Sequence, residues 1–320
     1  MRSVTRRSLL RSAALALGAA AVLPRRARRA QAQTESRWTA IGYSQGGQPL
    51  VVYHLGDGPA RVFLLGGHHG GPEANTTTLA TMLHDYFAAH PHEIPPGLGV
   101  DVMPAGNPDG LVAGTRQYLS GVDPNRNWGS ADWSPDAYDS NGRYRRGLGG
   151  SEPFSEQETR ALADWIDRRP PALVLNFHSA GGFMFGDRAG LAGEISAIYA
   201  ETSGYYWPDP GVNPNPLPYV PTGTLSAWTS QLGILDIFVE LTTSYYPEFE
   251  RNLVAVQAVM ARLAASLPPQ TPLDEPGPPA GEDPAPTATA APEAEPTPTL
   301  SPEPPPPEPT ATPTKRPLEW

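Results

Sequence analysis

The sequence predicts an α/β domain, a largely buried sheet with helices on both faces. Three observations carry that prediction. Short apolar, β-branched runs alternate with stretches of helical periodicity from about residue 43 to residue 267. The runs between the amphipathic stretches are apolar, as in strands covered on both faces. The two ends of the 320-residue chain differ in composition from this middle. They leave one body, residues 33–267, long enough for a single sizeable core.

Taken in order, residues 49–55 (PLVVYHL) and 61–65 (RVFLL) are the first predicted strands, the second closed by Gly66 and Gly67. A helix is expected over 73–90, where Leu79, Leu83 and Phe87 recur on one stripe. Residues 99–103 make the next strand. The stretch 127–150, rich in Gly, Ser, Asp and Trp, reads as a long irregular loop, a kind of segment that commonly carries function. A helix over 155–167, a strand over 172–177, a helix over 194–202 and a strand over 235–241 follow. The last helix, 249–267, sets Leu253, Val256, Val259, Met260 and Leu263 on one face. No internal repeat is visible.

The ends read differently. Residues 1–32 hold eight arginines and no acidic residue. Thr5-Arg6-Arg7-Ser8-Leu9-Leu10-Arg11 precedes an apolar run from Ala13 to Leu23, and Ala30-Gln31-Ala32 offers a small-x-small cleavage pattern. This is the pattern of a twin-arginine export signal, its apolar run too short to span a bilayer comfortably, with the mature start near Gln33. Arg25, Arg26, Arg28 and Arg29 stand between the run and that cut, an arrangement that an uncleaved anchor would also accommodate. Residues 268–320 carry 19 of the chain's 40 prolines, interleaved with Thr, Ala and Glu. Such a composition cannot bury enough surface to offset its ordering entropy, so an extended stalk or spacer is expected. The expected location is outside the cytoplasmic membrane, secreted or associated with the cell envelope through the tail. No membrane span is expected once the signal is removed.

Charge and cysteine content narrow the chemistry. The formal charge of −10 becomes −18 without the eight N-terminal arginines, and the body has no basic patch, which argues against nucleic acid as a partner. The chain has no cysteine, so disulfides and a lipoprotein attachment are excluded, and any zinc must be held by nitrogen and oxygen.

The stretch Gly66-Gly67-His68-His69-Gly70-Gly71-Pro72-Glu73 lies between a strand end and a helix start, where open α/β sheets place their ligands. An imidazole and a carboxylate there suit zinc, with further ligands from elsewhere. Downstream, Asn107-Pro108-Asp109-Gly110 follows a strand, and Arg116 comes six residues after the glycine. Then comes Gly121-Val122-Asp123-Pro124-Asn125-Arg126-Asn127-Trp128. In Leu175-Asn176-Phe177-His178-Ser179 a histidine ends an apolar strand. In Ile237-Phe238-Val239-Glu240-Leu241 a lone glutamate ends another, a costly position without a partner or a purpose.

In this order, over roughly residues 43–267, the motifs resemble the zinc metallocarboxypeptidase family of carboxypeptidase A-like peptidases, in the form of an exported bacterial member. The resemblance implies a mixed, mostly parallel twisted sheet and one Zn²⁺ per chain. It implies His69, Glu73 and His178 as the zinc ligands, two imidazoles and a carboxylate that leave a position for water. Glu73 follows His69 by four residues, where the best-known members have three, and bacterial relatives with a His-Gly-Gly-x-Glu pattern look similar. His69 matches the motif position, and its neighbour His68 is expected as a polar residue at the cleft wall, with a ligand role as the alternative. Glu240 is implied as the catalytic carboxylate and Arg116 as the arginine that polarises the scissile carbonyl. Asn125 and Arg126 are implied as the grip on a free C-terminal carboxylate, a role that suits the planar guanidinium fork. Tyr219, upstream of Thr222-Gly223-Thr224 and Trp228, is implied as a mobile tyrosine that closes over the bound residue.

Specificity is expected from residues 225–227 and from the strand that leads to Glu240. Period-two alternation puts Asp236 on the face of Glu240, so it would favour an amine-bearing terminal residue: Lys, Arg or a diaminopimelate of peptidoglycan. Phe238, on the same face, would instead favour small residues. The expected activity is that of an exported zinc carboxypeptidase acting on peptides. The alternative is an envelope amidase that cuts γ-D-glutamyl–diaminopimelate bonds, as some bacterial relatives do. A non-catalytic wall- or peptide-binding module would have lost a ligand or the glutamate, and all of them are present.

Overall fold

A computed structural model describes residues 37–209 and 216–268. The expected signal (1–32) and all but the first residue of the expected tail (268–320) lie outside the described residues. In chain order the elements are β1 (Arg37–Tyr43), β2 (Pro49–Leu55), β3 (Ala60–Leu65), a 3₁₀ turn (Gly71–Glu73), α1 (Ala74–Ala89), β4 (Leu98–Met103) and α2 (Pro108–Ala113). A small hairpin, β5 (Ala137–Tyr138) with β6 (Tyr144–Arg145), precedes α3 (Gln157–Arg168). The chain continues through β7 (Leu173–Ser179), β8 (Phe183–Gly186), α4 (Gly190–Ser203), α5 (Leu225–Gln231), β9 (Leu235–Leu241) and α6 (Phe249–Ser266).

Seven strands form one sheet in the order β1-β2-β4-β3-β7-β9-β8. The central four, β4, β3, β7 and β9, run parallel, with antiparallel strands at both edges. Alternation along each central strand feeds two cores. Val62, Leu64, Leu173, Leu175, Phe177, Ile237 and Val239 pack with α1, α4 and α6. Phe63, Leu65 and Val174 face the other way, onto Trp128, α3 and Leu225 and Trp228 of α5. Helices therefore cover both faces, as expected. Asn176 and His178 of β7, in period with Val174, lie on this second face.

Every predicted strand and helix is present within a few residues. Missing from the prediction are β1, β8, α2 and α5, for separate physical reasons. β1 is an edge strand, exposed at most of its positions, and β8 has only four residues. α2 begins at the proline of Asn-Pro-Asp-Gly, a sequence that reads as a turn. α5 is short and polar, and it starts on Thr224, whose hydroxyl accepts from Ala227 N at 3.1 Å. The expected irregular loop over 127–150 contains the β5–β6 hairpin. Among the described residues no helix is long and apolar enough to cross a membrane.

Candidate metal and substrate site

Strands β3, β4, β7 and β9 deliver their C-terminal ends to one edge, and the site is built there. After Leu65 the chain makes a tight turn. Gly70 has φ 56° and ψ −134°, and a Cβ there would lie 2.5 Å from Thr115 O. The turn can therefore press against the segment that follows α2, with Gly71 N donating to Thr115 O at 3.1 Å. It carries His69 and Glu73 under the end of β7. His69 Nδ1 lies 2.7 Å from Glu73 Oε1. His178 Nδ1 lies 3.0 Å from both Glu73 Oε2 and His69 Nδ1. All three residues are buried.

This donor set suits a divalent metal held by nitrogen and oxygen. His69 Nε2 is 3.0 Å from Asp123 Oδ1 and 2.9 Å from Arg116 Nη2; a metal on Nδ1 would leave the ring proton on Nε2, where Asp123 accepts it. The two Nδ1 atoms and the carboxylate lie within 4.8 Å of one another, close enough to share one cation. Protonation states agree with this. Burial pushes His178 down to about 4 against the pull of Glu73. Burial would raise Glu73, but His69 and His178 hold it well below the usual carboxylate range. His68 departs from expectation. It is not on the cleft wall but 1% exposed, its ring edge-on to Trp128 at 6.2 Å. The turn that points His69 at the site points its neighbour into the core.

Arg116 is fixed through Asn107. Asn107 Oδ1 accepts from Gly110 N at 2.9 Å, and its Nδ2 donates to the carbonyls of Arg116 and Gln117. The Arg116 side chain donates from Nε to Asp123 Oδ2 at 2.9 Å and from Nη1 to Glu73 Oε1 at 3.0 Å. Burial opposes its charge, but Asp123 and Glu73 outweigh burial and raise its pKa. Asp123, which sequence reasoning quoted without a role, thus braces both His69 and Arg116. Its position just before Pro124-Asn125-Arg126 was the available signal.

A cavity of about 110 Å³ joins these groups to the expected carboxylate grip. His69, Arg116, Glu240, Asn125, Arg126 and Tyr219 line it, with Phe185 and Phe238 as apolar walls. Asn125 Oδ1 accepts from Leu225 N at 2.9 Å. Arg126 donates from Nη1 to Asn125 O and from Nε to Tyr138 O, and its Nη2 reaches the Tyr219 hydroxyl at 3.5 Å. Glu240 pairs across the ladder with His178. Burial and then the charge of Glu73 push its carboxyl well above the usual range, against Arg116. Asp236 does not line this cavity. It lines an adjoining one of about 320 Å³ that shares Phe185, Ser226 and Phe238 and adds Asp187. Its Oδ2 is buried and unpaired. Burial pushes the carboxyl up to about 7, opposed by the Ser226 and Thr229 hydroxyls and assisted by Asp187. Phe185 and Asp187 escaped the sequence reading because β8 did.

Sequence and fold are shared with known proteins. The family profile described as zinc carboxypeptidase matches residues 26–187, half of the chain. Murein peptide amidase A of Escherichia coli K12 is 34% identical over 122 residues. That match spans 36% of this chain and 47%, about half, of the relative's length. Among solved structures, the murein-tripeptide amidase of Escherichia coli O157 superposes with a TM-score of 0.55 at 24% identity, over 75% of this chain and 97% of that one. Carboxypeptidase A of Helicoverpa armigera gives 0.57 at 19% identity, over 74% and 70% of the two chains. At these identities the two structures establish the fold.

Proposed function

This chain belongs to the zinc carboxypeptidase family, a family of hydrolases whose cofactor is zinc, and we propose that it hydrolyses the amide bond before a terminal residue with a free carboxylate. One observation carries this reading. His69 of the buried His69–Glu73–His178 cluster lines one cavity with Glu240, Asn125 and Arg126, so a carboxylate grip stands beside a hydrolytic centre. His69, Glu73 and His178 would hold the zinc, which supplies Lewis acidity and lowers the pKa of water toward about 7. Glu240 takes the proton of the attacking water and returns it to the leaving amine. Arg116 donates to the carbonyl oxygen as negative charge develops there. Arg126 and the Asn125 amide hold the terminal carboxylate, and Tyr219 covers the bound residue.

A second reading concerns the substrate. The likeness to murein peptide amidase A and the Asp236–Asp187 cavity beyond the carboxylate grip both favour a murein peptide whose terminal residue carries an amine, such as diaminopimelate. The test is hydrolysis of peptides with free or amidated ends and of a murein tripeptide, with and without a chelator. Chelator-sensitive release from free ends alone is expected. Glu240→Gln should lower kcat by ~100-fold or more, and Arg126→Ala should raise KM for free carboxylates. Equal cleavage of amidated peptides would sink the reading, and turnover of the tripeptide alone would select the murein substrate.

The domain plan and the location belong to the same proposal: signal at 1–32, catalytic body at 33–267 and a stalk at 268–320, with the enzyme exported. The Arg6-Arg7 pair supports it. Replacing both with lysine should retain the protein in the cytoplasmic fraction, and undiminished export would refute the twin-arginine assignment.

A further inference from the structure

Beside the metal triad, five buried polar atoms have no partner among the described residues: His68 Nδ1 and Nε2, Asn176 Nδ2 and Oδ1, and His178 Nε2. They belong together. Asn176, fully buried, precedes His178 by two residues on the same face of β7, in register with Leu65 and Phe238. The His68 ring lies 5.3 Å from that of His178 and 5.5 Å from that of His69, nearly parallel to the latter. The neighbouring aromatics offer nothing to pair with. Phe238 stacks on His178 at 4.5 Å, and Trp128 Nε1 donates to Pro124 O.

Buried polar groups without partners are rare in folded proteins, and several in one place call for a common explanation. An enclosed polar site holds water, each buried molecule making about three hydrogen bonds, so five orphan atoms match roughly two waters. The chemistry of the triad says what such water would do. A histidine that offers Nδ1 to a metal carries its proton on Nε2, and that N–H needs an acceptor to hold the ring in place. For His69 the acceptor is Asp123. For His178 no group among the described residues serves.

We propose that His68 and Asn176 hold internal water against His178 Nε2, and that this hydration site does for His178 what Asp123 does for His69. Both are positioning residues, and the inference rests on the assignment of the triad as the zinc site. It accounts for a second histidine beside His69 at a position that could have been apolar.

The test uses the zinc-loaded full chain labelled with ¹⁵N-histidine. In the wild type, zinc should shift the His178 nitrogens, and its Nε2–H should show exchange or Overhauser contact with a long-lived water. Asn176→Leu and His68→Phe should each weaken zinc binding ~10–100-fold in competition with a chelator and shift the His178 Nε2 signal. His68→Gln, which keeps a donor and an acceptor, should stay near the wild type. No water contact at Nε2 in the wild type overturns the proposal and needs no variant to fold. Unchanged zinc affinity in both apolar variants also overturns it. His178 nitrogens indifferent to zinc would overturn the triad assignment as well.

Discussion

The Asp236 carboxyl, pushed up to about 7 by burial, affects stability and specificity with opposite signs. Below the unfolded value near 4 it is protonated in both states. Between about 4 and 7 the unfolded chain ionises it while the folded protein keeps the proton, so stability falls as pH rises. Above 7 the loss is complete, on the order of a few kcal/mol for a shift of roughly three pK units. Asn cannot ionise, so Asp236→Asn should raise Tm over the wild type at pH 8 and leave it unchanged at pH 4. A difference constant across that range would mean that the carboxyl is unperturbed. Binding runs the other way, because only the ionised form attracts an ammonium. The wild type should gain preference for Lys over Leu termini from pH 6 to 8, and Asp236→Asn should show no such gain.

Among the elements, the turn from β3 to α1 is the most constrained, and glycine is what permits it. At Gly70 a side chain would adopt a strained backbone and also meet Thr115 O at 2.5 Å. Gly114 has φ 70° with open space around it, so alanine there bears only the left-handed strain, about 1–2 kcal/mol. Gly70→Ala should therefore cost more stability than Gly114→Ala and also lower zinc occupancy, because His69 and Glu73 flank the displaced turn. Equal losses of stability with full zinc in both would refute this. The same contrast between local and distant determinants explains what the sequence made legible. Strands buried on both faces announce themselves as apolar runs, and His178 and Glu240 stand out because they interrupt such runs. The edge strands β1 and β8 bear no comparable pattern, and Asp187 and Phe185 were lost with β8. Asp123 was visible as a residue but not as a brace, since its partners His69 and Arg116 are met only through space. The environment of His68 was hidden for the same reason: its contact with Trp128 depends on how the turn rotates.

At the scale of the whole molecule, the metal joins parts that the cores hold separately. Glu73 belongs to the β3–α1 turn and His178 to β7, 105 residues further along. Each face of the sheet has its own apolar core, built from alternating residues of the central strands and the helices that cover them. Removing zinc should therefore leave the fold standing at 25 °C while releasing three mutually repelling acceptors at the site. By mass action, zinc at a thousand times its Kd stabilises the folded state by about 4 kcal/mol. Chelation should thus lower Tm, and Tm should rise again with added zinc, while the far-ultraviolet circular dichroism at 25 °C stays unchanged. Hydrogen exchange should quicken around Gly66–Glu73 and the end of β7 more than in α1, α4 and α6. A chelated protein that is unfolded at 25 °C would mean that the cores cannot sustain the sheet alone, and the zinc would then be structural as much as catalytic.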